Sequence, residues 1–347
     1  MRVTHSDIAK KIGVSSSTVQ RALNGVEGVG DAKRDEIRKL AEEMGYKRNL
    51  NAFSLKKGSK TIAIVLPEPI HNNRYYAKFL WEGALECVRN HADSLIDILE
   101  FTYVRTPKNH VAKLEEMAAR YGDAVDGILT MGDLETAGVL AKLRKKGVPV
   151  VFVGTDGRAE NRMCCVHTYD VMAGRMAADL LINFTEPRRR RTVVVTGDML
   201  IADQFYNAQG FEQQLRESGF PLEIFKMTND PDLEKVREDI RDVLTSGLDI
   251  AAVYATSSRN TVPMCNAIAE SGKAGEVRCI GSDIFPESIE LIRENRLNAL
   301  IHKRPSTQAH KAMQTLIAHI VAGTTPESDQ ILIDPLIVMK SNIERFV

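Results

Sequence analysis

The residue types with the clearest chemical potential lie near the start of the chain. A helix predicted over residues 16–23 would bury Val19 and expose Ser16, Ser17 and Arg21. Arginine can donate two hydrogen bonds to guanine in the DNA major groove, a contact worth about 1–3 kcal/mol of base discrimination. The sequence therefore predicts that Ser16, Ser17 and Arg21 contact DNA bases.

This helix is the second of two short helices joined by a tight turn. The first is predicted over residues 6–12, Gly13 permits the turn, and Ser15 can cap the second helix. Together they form a helix-turn-helix, whose second helix can lie in the major groove. A third helix predicted over residues 31–44 would cover the first two with its apolar stripe. The pattern alone also fits a three-helix bundle with a solvated basic face.

A second group of polar side chains follows apolar runs typical of buried strands. Ligands bind beyond the carboxyl ends of parallel strands, and converging carboxylates, amides and hydroxyls suit a sugar or polyol. An alternative is that Asp133, Asp203 and Asp283 cap helices and that Tyr75 is ordinary packing. The predicted effector contacts are Asn73, Tyr75, Asp133, Asp203, Asn207, Ser257 and Asp283.

The elements that must position these residues alternate between strand and helix from residue 61 onward. Two successive series predict an α/β body of two lobes, whose parallel sheets are covered on both faces. Helical periodicity covers residues 79–88, 203–215, 233–244 and 260–269. The predicted strands are 61–66, 96–99, 127–130, 148–153, 193–195, 251–254, 277–280 and 330–340.

Length and charge agree with a small head on a larger body. The 347 residues suggest about two domains. Lys and Arg balance Asp and Glu at 46 each, but residues 1–60 hold 13 basic against 7 acidic residues. A basic head predicts a polyanionic partner. The start lacks a signal-peptide core and no apolar run could span a membrane, so we expect a cytoplasmic protein without a membrane partner.

The sequence carries no signature of an enzyme. It contains no P-loop, GxSxG, HExxH or dinucleotide-binding glycine motif, and its eight histidines lack metal-ligand spacing. Its five cysteines form no CxxC pair and are expected to be reduced. We therefore predict no catalytic residue, no cofactor and no metal site.

Three stretches in fixed order, Val3–Ala9, Gly13–Asn24 and Gly45–Leu55, resemble the head of the LacI/GalR family of bacterial transcription regulators. The resemblance implies contacts to DNA phosphates, which set register and affinity rather than sequence choice. The positions that match phosphate contacts are Thr4, Ser15, Thr18, Asn24, Tyr46 and Asn49.

The resemblance also implies a hinge helix over residues 49–57 that forms on operator DNA. Ala52, Leu55 and Lys56 would lie in the minor groove, with Leu55 as an apolar wedge that kinks the duplex. So short a segment is marginal as an isolated helix in water, which agrees with folding on DNA. Arg48 stands where relatives usually have proline.

The body resembles the type I periplasmic-binding-protein fold, which adds Lys303 to the predicted effector contacts because relatives often have glutamine there. That fold crosses between its lobes three times, and we expect the crossings near Cys165, Leu297 and Pro326. The fold class is thus a small all-α helix-turn-helix head followed by a two-lobed α/β body. The predicted domains are residues 1–48 (head), 49–60 (hinge) and 61–347 (body), with the first lobe at 61–165 and 298–326 and the second at 166–297 and 327–347.

The predicted function is a sequence-specific DNA-binding transcriptional regulator, a repressor controlled by a sugar or sugar derivative bound between the lobes. A single helix-turn-helix needs a two-fold partner to read a pseudo-palindromic operator, and no leucine heptad tail follows, so we expect a homodimer at the bacterial nucleoid. Two alternatives stay open. One is a solute-binding sensor whose head docks a protein partner, and the other is a DNA-binding regulator controlled by a protein co-regulator.

Overall fold

The computed structural model describes residues 5–24, 29–44, 59–91, 95–185, 191–228 and 232–346. The chain divides into two compact units, Met1–Gly58 and Ser59–Val347. This division falls inside the segment predicted as the hinge. The two units are described in turn.

The first unit is a cluster of three helices. Ile8, Val19, Ala22 and Ile37 are fully buried at its centre, as the apolar spacing of the three segments predicts. All three helices lie within one residue of their predicted bounds. They are α1 (His5–Ile12), α2 (Ser16–Asn24) and α3 (Asp31–Glu43).

The turn between α1 and α2 has the chemistry expected of it. Gly13 adopts a φ of +75°, a left-handed conformation that glycine reaches without steric cost. The Oγ of Ser15 accepts a hydrogen bond from the amide of Thr18 at 3.1 Å, which satisfies one free donor at the start of α2. Ser15 therefore caps α2, as predicted.

The first lobe of the second unit is a six-stranded parallel sheet in the order β11-β5-β4-β3-β1-β2. Its helices cover both faces, which explains why the strands read as continuous apolar runs. The strands are β1 (Lys60–Pro67), β2 (Ile96–Tyr103), β3 (Gly127–Thr130), β4 (Val150–Val153), β5 (Cys164–Thr168) and β11 (Gln330–Ile333). The helices are α4 (Ala77–Asn90), α5 (Pro107–Tyr121), α6 (Ala137–Lys145) and α12 (Pro305–Ala322).

The second lobe repeats this scheme in the order β12-β10-β9-β8-β6-β7. Five strands run parallel, and β12 pairs antiparallel with β10. The strands are β6 (Arg191–Gly197), β7 (Leu222–Thr228), β8 (Ile250–Ala255), β9 (Arg278–Ser282), β10 (Ala299–His302) and β12 (Leu336–Val338). The helices are α7 (Asp170–Phe184), α8 (Ala202–Ser218), α9 (Leu233–Thr245), α10 (Thr261–Glu270) and α11 (Pro286–Arg293).

The three crossings between the lobes follow β5, β10 and β11, so each lies later in the chain than predicted. Cys165 pairs within β5 of the first sheet, and Leu297 precedes β10, which belongs to the second sheet. The stretch predicted as one strand over 330–340 is two strands in different sheets, so the chain crosses after Ile333 and not near Pro326. The strand propensity of the residues predicts that a segment is extended, but its hydrogen-bond partners determine which sheet it joins.

Close packing of α7 on α8 fixes the wall of the second lobe. A Cβ atom on Gly174 would lie 1.8 Å from the carbonyl oxygen of Asn207, and one on Gly210 would lie 2.1 Å from that of Val171. Only glycine permits so close an approach of the two backbones. This contact orients the first turn of α8, which faces the other lobe.

Within the described ranges, no helix is both long and apolar enough to cross a membrane. The same residues contain no group of three His, Cys, Asp or Glu side chains arranged to hold a metal ion. Cys87, Cys164, Cys165, Cys265 and Cys279 are buried thiols.

Candidate functional site

A cavity of about 340 Å³ lies between the two lobes, beyond the carboxyl ends of strands from both sheets. Its volume falls within the range of small-molecule sites. The first lobe contributes Pro67, Asn72, Asn73, Tyr76, Ala77, Arg105, Thr106 and Met131. The second lobe and the crossing after β10 contribute Asp198, Ile201, Asp203, Gln204, Ser257, Ser258, Arg259 and Lys303.

Four of the eight predicted effector residues line this cavity: Asn73, Asp203, Ser257 and Lys303. Lys303 is only 4% exposed, and its Nζ donates to the carbonyl of Thr256 at 2.9 Å. The Oδ2 of Asp203 lies 3.9 Å from that Nζ, so the two charges attract each other without a direct hydrogen bond.

Unsatisfied polar atoms mark the cavity as a site for a polar ligand. Among the described residues, Oδ1 of Asp203 and Oγ of Ser257 are buried without a hydrogen-bond partner. An unpaired buried polar group costs about 1–3 kcal/mol, a cost that a ligand relieves by supplying the partner. Because one atom is a carboxylate oxygen and the other a hydroxyl, a ligand hydroxyl can bond to both.

Lys303 connects the cavity to the crossing segments. Its carbonyl oxygen accepts hydrogen bonds from Oγ1 of Thr168 at 2.9 Å and from Nε2 of Gln308 at 2.6 Å. Gln308 also accepts a hydrogen bond from the hydroxyl of Tyr76, which lines the cavity. The side chain of Lys303 therefore faces the cavity while its backbone joins the first and second crossings.

Tyr75, one of the predicted effector contacts, packs between the lobes instead of lining the cavity. Its ring lies 4.7 Å from the ring of Phe285 on the second lobe, and burial raises the pKa of its hydroxyl. The neighbouring Tyr76 lines the cavity. The 3-10 turn at His71–Tyr75 determines which of the two tyrosines faces the cavity. The repeats of three to four residues in a helix and of two in a strand do not predict side-chain directions in such a turn.

Asp133 and Asn207 are likewise absent from the cavity wall. Oδ1 of Asp133 accepts a hydrogen bond from the amide of Glu135 at 3.0 Å and so caps the short turn before α6, the alternative considered from the sequence. Asn207 is fully buried, and its Oδ1 accepts a hydrogen bond from the hydroxyl of Tyr254. Asp133 therefore fixes a turn and Asn207 fixes Tyr254, and neither side chain lines the cavity.

Asp283 is also buried outside the cavity, where it organises the second crossing. Its Oδ1 accepts a hydrogen bond from the backbone amide of Lys303 at 2.8 Å. Its φ of +62° is unusual for a residue other than glycine. Asp283 therefore positions Lys303 through the backbone, which is a different role from the predicted effector contact.

Sequence reasoning missed eight of the polar residues that line the cavity. Arg105 escaped because the strand predicted to end at Leu99 continues to Tyr103, so the residues after its true end were not considered. Arg259 also lies beyond the carboxyl end of a strand, here β8, two positions after the predicted Ser257. The missed residues are Asn72, Tyr76, Arg105, Thr106, Asp198, Gln204, Ser258 and Arg259.

The lobes touch each other directly beside the cavity. Arg74 of the first lobe donates to Oε1 of Glu287 on α11 at 2.6 Å. The guanidinium of Arg74 also lies 4.3 Å from the centre of the Tyr75 ring, which packs on Phe285. An ion pair and an aromatic contact thus hold this edge of the cleft closed.

Replacing Glu287 with glutamine should weaken this closed arrangement. The ion pair is partly exposed, so its loss should cost at most about 1 kcal/mol and lower apparent ligand affinity up to roughly fivefold. Ligand titration followed by intrinsic fluorescence measures the change. Glu290→Gln, on the same helix but paired with Arg293, is the matched control. An equal loss in both variants would remove the lobe contact as the cause.

A buried acid and a histidine lie at the first crossing. Burial raises the pKa of Asp170 to about 6, partly offset by the hydrogen bond from His167. Burial lowers the pKa of His167, but the contacts with Asp170 and Gln330 outweigh it and raise the pKa overall. Nδ1 of His167 lies 3.6 Å from Oδ2 of Asp170, and Asp203 adds a repulsive charge that also raises the pKa of Asp170.

We expect the raised pKa of Asp170 to make the contribution of this residue to stability fall as pH rises from about 4 to 6. A carboxyl whose pKa is raised by folding binds more protons in the folded state, so stability falls as that proton is lost. Asp170→Asn should remove this contribution, so the stability of the variant relative to the wild type should rise between about pH 4 and 6, measured by thermal unfolding across the pH range. Asp242→Asn, at an exposed position, should retain the wild-type slope. An unchanged slope in Asp170→Asn would contradict the assignment.

Two of the three residues predicted to contact DNA bases are exposed on the same helix of the head. Ser16 and Arg21 are exposed on α2, opposite the buried Val19 and Ala22. Ser15 is exposed and Thr18 is half-buried. Other predicted DNA contacts lie outside what the structure describes, either entirely or in their side chains: Thr4, Ser17, Asn24, Tyr46, Asn49, Ala52, Leu55 and Lys56.

Comparison with known proteins places both units in described families. Residues 71–324 match the periplasmic binding protein domain, and residues 4–49 match the bacterial regulatory proteins of the lacI family. The HTH-type transcriptional regulator CelR of Thermobifida fusca is 22% identical over 347 residues, with 98% of each chain covered. The regulator DegA of Bacillus subtilis is 25% identical over 331 residues, covering 93% of this chain and 91% of its own.

A solved structure confirms the fold of the body. GanP, a glucose-galactose binding protein from Geobacillus stearothermophilus, superposes with a TM-score of 0.71 at 22% identity. The match covers 82% of this chain and 99% of that one. This superposition and the two family matches together confirm a helix-turn-helix head followed in sequence by a two-lobed α/β body.

Proposed function

The chain belongs to the lacI family of bacterial regulatory proteins and carries a periplasmic binding protein domain, and from this premise we propose that it is an effector-controlled repressor. It is a DNA-binding transcriptional regulator, as are its curated relatives. It acts as a homodimer on a pseudo-palindromic operator in the bacterial cytoplasm, at the nucleoid. The effector is a sugar or sugar derivative, and no catalytic step is involved.

The position of Lys303 is the observation that carries the effector part of this proposal. Its side chain lines the cavity, and its backbone joins two of the three lobe crossings. A ligand that contacts Asp203 and Lys303 therefore changes the interactions that set the relative position of the lobes. A ligand can shift the equilibrium between two lobe arrangements only by its difference in affinity for them.

DNA binding responds through the hinge segments of the dimer. Movement of the lobes changes the spacing of the two hinge segments, and the hinge helices then form or melt. This is an order–disorder switch, in which Leu55 kinks DNA when the helices are formed. Ala52 and Lys56 lie beside it in the minor groove. The phosphate contacts proposed above hold the head in register.

A solute sensor whose head docks a protein partner is the alternative from another functional class. The exposed Arg21 and the lacI-family match over residues 4–49 favour DNA. A DNA-binding regulator controlled by a protein co-regulator would not need a polar cavity. The unpaired Asp203 and Ser257 atoms favour a small molecule over that arrangement.

A thermal-shift screen of the purified chain tests the effector proposal. The panel contains sugars, sugar phosphates, polyols, sugar acids and purines. A ligand at about one hundred times its dissociation constant should stabilise the protein by about 2.7 kcal/mol. Operator binding is then measured with and without the stabilising compound. A compound that stabilises the protein and weakens operator binding supports an induced repressor, whereas tighter binding would identify a co-repressor and contradict induction.

A further inference from the structure

The charges that line the cavity are arranged unevenly between its walls. The wall from the first lobe contains Arg105 and no carboxylate, whereas the wall from the second lobe pairs Asp203 with Lys303. Asp198 and Arg259 complete the charged lining of the second wall. The ligand therefore faces a guanidinium on one side and a mixed set of hydrogen-bonding groups on the other.

Among the described residues that line the first-lobe wall, Arg105 carries the positive charge. It lies just beyond the end of β2, and among the described residues its guanidinium makes no ion pair and no hydrogen bond. Arg74 and Arg120 on this lobe are paired, Arg74 with Glu287 and Arg120 with Glu116 at 2.8 Å, whereas the exposed Arg105 leaves its donors available to a ligand in the cavity. A guanidinium offers a planar pair of donors that matches a carboxylate or a phosphate.

Lys303 supplies a second, independent reason to expect negative charge on the ligand. It is a buried cation whose nearest recorded carboxylate oxygen, Oδ2 of Asp203, lies 3.9 Å away, and its charge also acts on the buried Asp170. Its ammonium can donate three hydrogen bonds, and the structure records one, to the carbonyl of Thr256. Buried charge is costly unless it is paired, so an anionic ligand gains more from this cavity than a neutral one does.

We propose that the effector carries one anionic group, a carboxylate or a phosphate, on a polyhydroxylated skeleton. Arg105 binds the anionic group, while Asp203, Ser257 and Asn73 bind ligand hydroxyls. This inference rests on the proposed function, because it names the chemical class of ligand for the same cavity. It excludes an uncharged sugar or polyol as the preferred effector.

The test uses matched sets of probes that differ in charge. Glucose is compared with glucuronate and glucose 6-phosphate, galactose with galacturonate and galactose 6-phosphate, and glucitol with gluconate. Binding to the full-length chain is measured by calorimetry. The best charged probe should bind about tenfold to a hundredfold more tightly than its neutral counterpart, the range expected for a hydrogen bond to a charged group. The two charged arms distinguish a carboxylate from a phosphate.

Substitution of Arg105 assigns the preference to one residue. Arg105→Gln should remove most of the preference for the charged probe, because it lowers the affinity for the charged probe more than that for its neutral counterpart, while Lys303 retains the remainder. Arg120→Gln removes the same charge from a paired, exposed site on the same lobe and should retain the preference. A preference for the charged probe that is as large in Arg105→Gln as in the wild type overturns the proposal.

Two further outcomes would also overturn the proposal. One is a neutral probe that binds as tightly as its charged counterparts, and the other is a chain that binds operator DNA but none of the charged probes at millimolar concentration. If a neutral probe causes the protein to dissociate from operator DNA, the proposed function is supported, but the proposal of a charged effector is contradicted. Failure of the proposed function is separate, since it would appear as a chain that binds no specific DNA.

Discussion

Replacing Arg21 with alanine is expected to lower affinity for the operator by about 1–3 kcal/mol, roughly fivefold to 150-fold, and to relax one position of each half-site. Arg21 is exposed on α2, on the side opposite the buried Val19 and Ala22. Its guanidinium can donate two hydrogen bonds to one guanine, so its loss removes both affinity and base choice. Fluorescence anisotropy with operator variants measures both effects.

A lysine on α1 provides the comparison for Arg21. Lys10→Ala removes an exposed positive charge from the same head but from outside the second helix. Loss of a charge alone should weaken binding to all sequences uniformly and reduce its salt dependence. If Arg21→Ala behaves in the same way and every operator position keeps its preference, Arg21 is a phosphate contact and does not read a base.

Replacing Asp203 with asparagine is expected to lower effector affinity by about 1.5–3 kcal/mol, roughly tenfold to 150-fold. The substitution keeps the shape of the side chain but removes the charge of an oxygen that is buried without a partner. It also leaves the buried Lys303 without its nearby carboxylate. Affinity should fall most for neutral probes and less for charged ones, because an anionic group gains from the Lys303 ammonium that the substitution leaves without its nearby carboxylate; Arg105→Gln has the opposite pattern.

Operator binding without effector should remain close to that of the wild type in Asp203→Asn, because the head is a separate compact unit. The cellular result would be a repressor that no longer responds to its inducer. Calorimetry with the effector and anisotropy with the operator measure the two properties separately. Asp242→Asn, at an exposed position of α9, is the control. An unchanged effector affinity would place the ligand elsewhere.

The helix-turn-helix could be predicted from the sequence almost residue by residue. Its information is local: a stripe such as Ile8 and Ile12, a turn glycine at position 13 and a capping serine at position 15 lie within one short segment. The three helices consequently match their predicted bounds. Such a segment can be predicted from its sequence because its local interactions agree with the final fold.

The cavity could be predicted only in part, because its composition depends on where strands end and how turns are oriented. Asp203 and Ser257 follow the strand-end rule and line the cavity, but Tyr75 and Tyr76 differ by one residue in a 3-10 turn. Asp283 follows the same rule and bonds to the backbone of Lys303 instead. The rule identifies the correct edge of the sheet, whereas the direction of each side chain depends on tertiary packing.

The crossings show the same limit at a larger scale. Gln330–Ile333 and Leu336–Val338 are adjacent in sequence and similar in composition, but they pair with different sheets. Their partners, β5 and β10, are far away in the chain. Non-local pairing of this kind has no signature within the segment itself.

The most direct test of the central claim is selection of DNA from a random pool by the full-length chain, followed by sequencing. We predict enrichment of one two-fold-symmetric sequence, from which Arg21→Ala loses its preference at one position of each half-site. Adding the effector identified by thermal shift should reduce recovery of that sequence. The account would be contradicted if the pool remained random after several rounds and the amount of DNA retained depended on salt concentration alone. That result would favour a head that docks a protein partner.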